Sequence, residues 1–178
     1  MRARATFLLL GIAGLAASGA MAAATANSKD LLLRSSDVPA GAKRVSFGGT
    51  TGAIKIPRTV HGQAAYVAYT FTNRSRRETV GNAVGKLGST RDAHDVYLDL
   101  KGKAKNEAGF HRLSLPGYGN EQFAFGTATR AVSLGVVVAR SGSVLWEVIV
   151  SDLPGFSEAQ LTGELDKYAR KAKKRAAG

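Results

Sequence analysis

Apolar residues recur along this chain with two different periods, and the places where the period changes mark its elements. Through residues 63–73, Ala65, Val67, Tyr69 and Phe71 alternate with Tyr66, Ala68 and Thr70. This two-residue period, rich in aromatic and β-branched side chains, predicts a strand with cover on both faces. The same signal fills residues 131–140 and 144–150 on either side of Ser141, Gly142 and Ser143, and predicts a hairpin. Its expected core positions are Val132, Leu134, Val136 and Val138 facing Val144, Trp146, Val148 and Val150, with Trp146 as the packing anchor. Shorter strands are predicted at 79–87, 110–115 and 121–127. Two more, at 44–47 and 53–56, flank the glycine-rich stretch 48–52 as a second hairpin.

The period lengthens twice. Ala93, Val96, Tyr97, Leu100 and Ala104 repeat at helical spacing behind Ser89, which stands three residues before Asp92 as an N-cap does. Leu161, Leu165, Tyr168, Ala169 and Ala172 form the apolar stripe of a terminal helix, opened by a capping box of Ser157 and Gln160. Residues 28–35 predict one or two helical turns anchored by Leu31, Leu32 and Leu33. Residues 37–41 predict a turn, because Pro39 fixes its own φ and Gly41 accepts a positive one. Residues 116–120 and 152–155 are further turns.

Ahead of this pattern the chain begins with Met1, Arg2, Ala3 and Arg4, followed by the uncharged apolar run 7–17 and then small residues. That order predicts an export signal over residues 1–26, with small-x-small sites ending at Ala22 and Ala26 and cleavage expected after Ala26. The apolar run is shorter than the roughly 18 residues that a membrane span needs. Residues 27–178 then form one domain of ordinary size. With no cysteine, this domain has no disulfide, thiolate metal site, thiol nucleophile or lipobox, so its stability rests on packing. A disulfide-free exported domain rich in Ala, Gly and Arg suits a bacterium, and the expected location is secreted, extracellular or in the cell envelope.

Formal charge is +12, and loss of Arg2 and Arg4 lowers it to +10. Such an excess attracts polyanions over about 8 Å at physiological salt. Outside a cell these are wall polymers and anionic lipid rather than nucleic acid. The clearest surface feature is Lys167, Arg170, Lys171, Lys173, Lys174 and Arg175, with no acid after Asp166. These cations complement the dipole of the terminal helix. The alternative is that they dock the protein on wall polymer or anionic lipid.

Little else points to chemistry. His61, His94 and His111 do not stand in a metal-ligating spacing, there is no Gly-x-Ser-x-Gly elbow, and the 48–52 glycines lack the Gly-Lys-Ser/Thr and helix of a phosphate cradle. Asp92, Asp95 and Asp99 read as the solvated face of a helix rather than a cation loop. Asn73, Arg74 and Ser75 match a glycosylation sequon that bacterial export usually ignores. No metal or other cofactor is expected, and neither is enzymatic activity. A hydrolase would need groups such as His61, His111 and Glu121 in one pocket. Tyr118, in the glycine-rich 116–120 turn, is the candidate for lying over a small-molecule ligand.

The succession of an export signal, LLLRSSDVPAG at 31–41, an amphipathic helix at 89–105, LSLPGYGNEQFAF at 113–125, a VVVARSGSVLWEVIV hairpin at 136–150 and a basic last helix resembles a known group. These are the actinobacterial secreted or lipid-anchored sensor-like domains, among them the extracellular domain of a mycobacterial receptor serine/threonine kinase. The resemblance covers most of residues 28–175. It implies a single α+β domain in which a curved antiparallel β-sheet is backed by two main helices, with a ligand cleft. Members of the kinase group carry paired cysteines, which this chain lacks, so the resemblance does not extend to signalling by this chain alone. It transfers no functional residue. The expectation is a cell-envelope or sensor-like binding protein, with an electrostatic adaptor and a hydrolase as alternatives.

Overall fold

A computed structural model describes residues 28–55, 59–73, 76–153 and 155–177. The expected export segment and the middle and last residues of the sequon lie outside the described residues. Seven strands form one curved antiparallel sheet: β1 (Lys43–Lys55), β2 (Thr59–Asn73), β3 (Arg76–Leu87), β4 (His111–Arg112), β5 (Glu121–Ala128), β6 (Ser133–Ser141) and β7 (Val144–Leu153). Their order is β1-β2-β3-β7-β6-β5-β4. Two meanders, β1 to β3 and β4 to β7, therefore join where β3 meets β7. Helix α1 (Thr90–Lys105) connects the meanders and α2 (Glu158–Ala176) ends the chain, giving the expected α+β class.

The helices lie on opposite faces. Leu161, Leu165, Tyr168, Ala169 and Ala172 of α2 pack with Val67, Val84, Val137, Trp146 and Val148. Ala93, Val96 and Tyr97 of α1 pack with Phe125, Val136, Val138, Leu145 and Ile149. Two-sided cover explains why β6 and β7 read as nearly continuous apolar runs. Both helices begin as the sequence predicts: Ser89 accepts from the Asp92 N–H at 3.0 Å, and Ser157 and Gln160 close a capping box.

Three expectations change. Residues 48–52 are not a hairpin loop but lie inside the continuous strand β1, in register with β2 from Ser46 to Lys55. Glycine is needed there for close approach: a Cβ on Gly48 would fall 2.7 Å from the Tyr66 hydroxyl, against the ring lying over it. In the β6–β7 hairpin, Gly142 at φ 58° makes a two-residue turn that sets Ser141 opposite Val144. Val137 and Ala139 therefore share the α2 face with Trp146 and Val148, while Val136 and Val138 share the α1 face with Glu147 and Ile149. A slip of one position exchanges the faces of a strand. Finally, the strand expected at 110–115 pairs only at His111 and Arg112, with one further bond from the Leu113 N–H to the Ala124 carbonyl at 3.0 Å.

The N-terminal segment docks on the α2 face. It makes a 3-10 turn at Ser28–Leu31, after which Leu32 and Leu33 enter the core. Buried Asn82 ties this segment to the sheet: its Oδ1 accepts from the Leu33 N–H at 2.9 Å and its Nδ2 donates to the Glu147 carbonyl at 2.8 Å. From β3, one residue thereby satisfies backbone groups on both the N-terminal segment and β7.

Candidate functional site

The last turns of α1, the short β4 and the open flank of β5 enclose a groove of about 330 Å³. Its floor is aromatic. Phe123 and Phe125 stand two residues apart on β5 and stack with centroids 5.7 Å apart. Phe110 meets Phe125 edge-on at 5.6 Å, and Tyr97 of α1 tilts over Phe123 at 5.4 Å. Such a cluster of interlocked rings is a rigid apolar surface with little conformational entropy to lose on binding. The groove exists because β4 is only two residues long, which leaves the flank of β5 uncovered, and because α1 stops at Lys105.

Its rim is cationic. Lys101 and Lys105 stand one turn apart on α1, Arg112 projects from β4, and His111 lies beside it. The Lys101 ammonium sits 5.6 Å from the Tyr97 ring centroid. His111 Nε2 is 3.0 Å from Glu158 of α2. Lys101, Lys105 and Arg112 have no carboxylate within ion-pair distance among the described residues. An apolar floor with unneutralised cations on one side is complementary to a molecule with a ring or short hydrocarbon part and an anionic group.

The neighbouring acid is already engaged. Glu121 accepts from Arg140 Nε at 2.6 Å and from His94 Nδ1 at 2.8 Å. Burial alone would raise its pKa, but those two hydrogen bonds and charges outweigh burial and hold it below the ordinary glutamate value. The hydrolytic set of His61, His111 and Glu121 is not assembled. His61 lies on β2 and His111 on β4, with β3, β7, β6 and β5 between those strands. Among the described residues, no group of three or more His, Asp or Glu is placed to hold a metal ion.

Tyr118 does not lie over an open surface. It is 2 % exposed, its ring packs 6.0 Å from that of Trp146, and its hydroxyl donates to Asp166 of α2. Desolvation, then the Asp166 hydrogen bond, push its pKa well above the ordinary tyrosine value. The ring expected over a ligand is thus placed in the core, against Trp146.

The basic run of α2 is largely spent within the molecule. Lys167 pairs with Glu164 at 2.8 Å and Arg170 with Asp166 at 2.9 Å. Lys171 donates to the Asp37 carbonyl, and Arg175 forks onto the Asp37 carboxylate at 3.0 and 3.2 Å. Lys173 and Lys174 are exposed and lack a carboxylate partner among the described residues. Four of the six expected docking residues thus brace the helix or tie it to the N-terminal segment.

The groove was not singled out in the sequence. Its signals are Phe123 and Phe125 alternating in β5 and Lys101 and Lys105 at i, i+4, and the lysines read equally well as dipole complement.

No family model matches the chain, and the search of curated proteins finds no match. Among solved structures, the extracellular domain of PknH from Mycobacterium tuberculosis is similar at 12 % identity and a TM-score of 0.48, over 79 % of this chain and 93 % of that one. A likeness at that level carries no argument about ligand, activity or location. Among the described residues no helix is long and apolar enough to cross a membrane.

Proposed function

We propose that this chain is an exported, non-enzymatic binding domain of the cell envelope whose α1–β5 groove takes a small amphipathic anion, such as an aromatic or aliphatic carboxylate or phosphate. The observation that carries this reading is the Phe110, Phe123 and Phe125 floor beneath Lys101, Lys105 and Arg112, which no acid of the described protein neutralises. Apolar contact supplies affinity, and the cations orient the charged end toward α1 and β4. The opening segment and the excess positive charge support work outside the cytoplasm among anionic molecules.

Decanoate and uncharged decanol test the groove as matched probes. Titrations followed by NMR should shift Phe123 and Phe125 ring signals with both, and decanoate should bind about 5- to 10-fold more tightly, the range expected for one charge-assisted contact. Arg112→Ala should remove most of that difference. Equal affinity for the two probes, or shifts centred elsewhere, would refute the reading. Docking through α2 remains as a second reading because Lys173 and Lys174 face solvent.

A further inference from the structure

Strand β1 is one edge of the sheet. Among the described residues its outer side meets no other strand, and its only ladder is the one with β2. From Ser46 to Lys55 that ladder runs without a break, while a bulge at Val45 disturbs only its start. A long regular edge presents a row of backbone donors and acceptors to any extended chain alongside it. At the start of β1, Val45 and Phe47 are 57 % and 47 % exposed, two of the three exposed large apolar residues among the described residues. Phe47 borders a groove of about 480 Å³ formed with Lys29, Arg34, Arg44, Val67 and Tyr69. The guanidinium of Arg44 stands 4.9 Å from the Phe47 ring centroid, and the Lys29 ammonium 5.6 Å.

Charge decides what fits this edge. Between Asp37 and Glu78 the chain has no acidic residue, yet it carries Lys43, Arg44, Lys55, Arg58, Arg74, Arg76 and Arg77. A second copy is disfavoured: antiparallel pairing centred on Gly49 sets Lys43 opposite Lys55, and parallel pairing in register sets each cation beside its equivalent. Like charges directly opposite each other destabilise a strand pair, and opposite charges stabilise it. The feature that repels a copy of β1 therefore attracts an acidic strand. A polyanion without a peptide backbone would satisfy the cations but leave the edge donors, Val45 and Phe47 unused.

We propose that β1 is a docking edge for an extended acidic segment of a partner protein, added as an eighth strand, with an apolar side chain on Phe47 and carboxylates on Arg44 and its neighbouring cations. The probe is a capped decapeptide alternating glutamate and valine. It should bind the full chain and slow amide exchange across residues 46–55 by about tenfold or more. N-methylation of every second amide along one edge blocks strand addition from that edge at unchanged charge, so the two alternately methylated peptides should differ about tenfold in affinity. Arg44→Glu, an exposed change, should weaken the unmodified peptide several-fold. The proposal is overturned if the two methylated peptides bind alike, if protection falls outside β1, if dextran sulfate reproduces the same protection, or if the decapeptide does not bind.

Discussion

Glu147 shows how much one side chain can carry that its sequence context hides. In the run 144–150 it stands where strict alternation places a solvent-facing residue, yet it is only 3 % exposed, because α1 covers the face opposite Trp146. Ala83 and Val138 flank it on the adjoining strands, and its Oε1 has no hydrogen-bond partner among the described residues. Desolvation pushes its pKa up to about 8 from an ordinary 4.5. Its folded pKa lies above its unfolded one, so the native state holds the extra proton between these values. Stability should therefore fall as pH rises from about 4.5 to about 8. Glu147→Gln should abolish that slope and raise the melting temperature at pH 8.5 by roughly 5 °C or more, with little change near pH 4.5, as calorimetry across pH would show. Tyr118 makes the complementary case. Tyr118→Phe keeps the ring against Trp146 and removes the donor to Asp166, a loss of about 1 kcal/mol in denaturant unfolding, while leaving decanoate affinity at the parent value. Neither environment was legible in the sequence, because burial of both groups depends on a helix distant along the chain.

Elements were legible where local chemistry specifies them. Ser89 and Ser157 open their helices as predicted, and every residue of the stripe from Leu161 to Ala172 is buried, since caps and 3.6-residue periodicity are properties of one segment. β1 was misread because glycine marks both turns and close approach, and only β2 with Tyr66 settles which applies. The β6–β7 faces were misread because both are apolar, so alternation had nothing to contrast. Contacts distant in sequence also fix the end of α2. Asp37 is partly buried, which by itself would raise its pKa, but the Arg175 guanidinium and the Arg34 N–H more than offset burial and lower it. Asp37→Ala should cost roughly 1–2 kcal/mol and speed amide exchange in the last turns of α2 selectively. In the parent, a carboxylate with a depressed folded pKa contributes stability above its unfolded value of 3.8, and that contribution is lost as pH falls through the folded value. The middle of the chain sets how closely α2 can sit: a Cβ on Gly135 would lie 3.1 Å from Leu161 Cδ1 and 3.3 Å from Leu165 Cδ2. Gly135→Val should overpack this contact and cost about 1–3 kcal/mol in denaturant unfolding.

At the scale of the whole molecule, covering both faces of one sheet leaves only its margins for recognition. The groove lies at the β4 and β5 margin and the docking edge at β1, across the full width of the sheet. Net positive charge attracts anions to either margin, so charge by itself cannot tell a specific site from a diffuse field. Paired substitutions of equal charge can. Lys105→Glu with Arg112→Glu, and Lys173→Glu with Lys174→Glu, change net charge equally but act at the groove and at the end of α2 respectively. On mixed phosphatidylglycerol and phosphatidylcholine vesicles, a field effect weakens both variants alike, with a salt dependence that vanishes within a few Debye lengths of screening. A groove that holds an amphipathic anion separates them: the groove pair should lower decanoate affinity about tenfold or more, and the α2 pair should leave it within about twofold of the parent. Apolar burial on Phe123 and Phe125 survives screening, so part of the parent's decanoate affinity should persist at high salt. Vesicle retention lost chiefly in the α2 pair, with decanoate affinity unchanged in both, would instead place recognition on the two exposed lysines of α2.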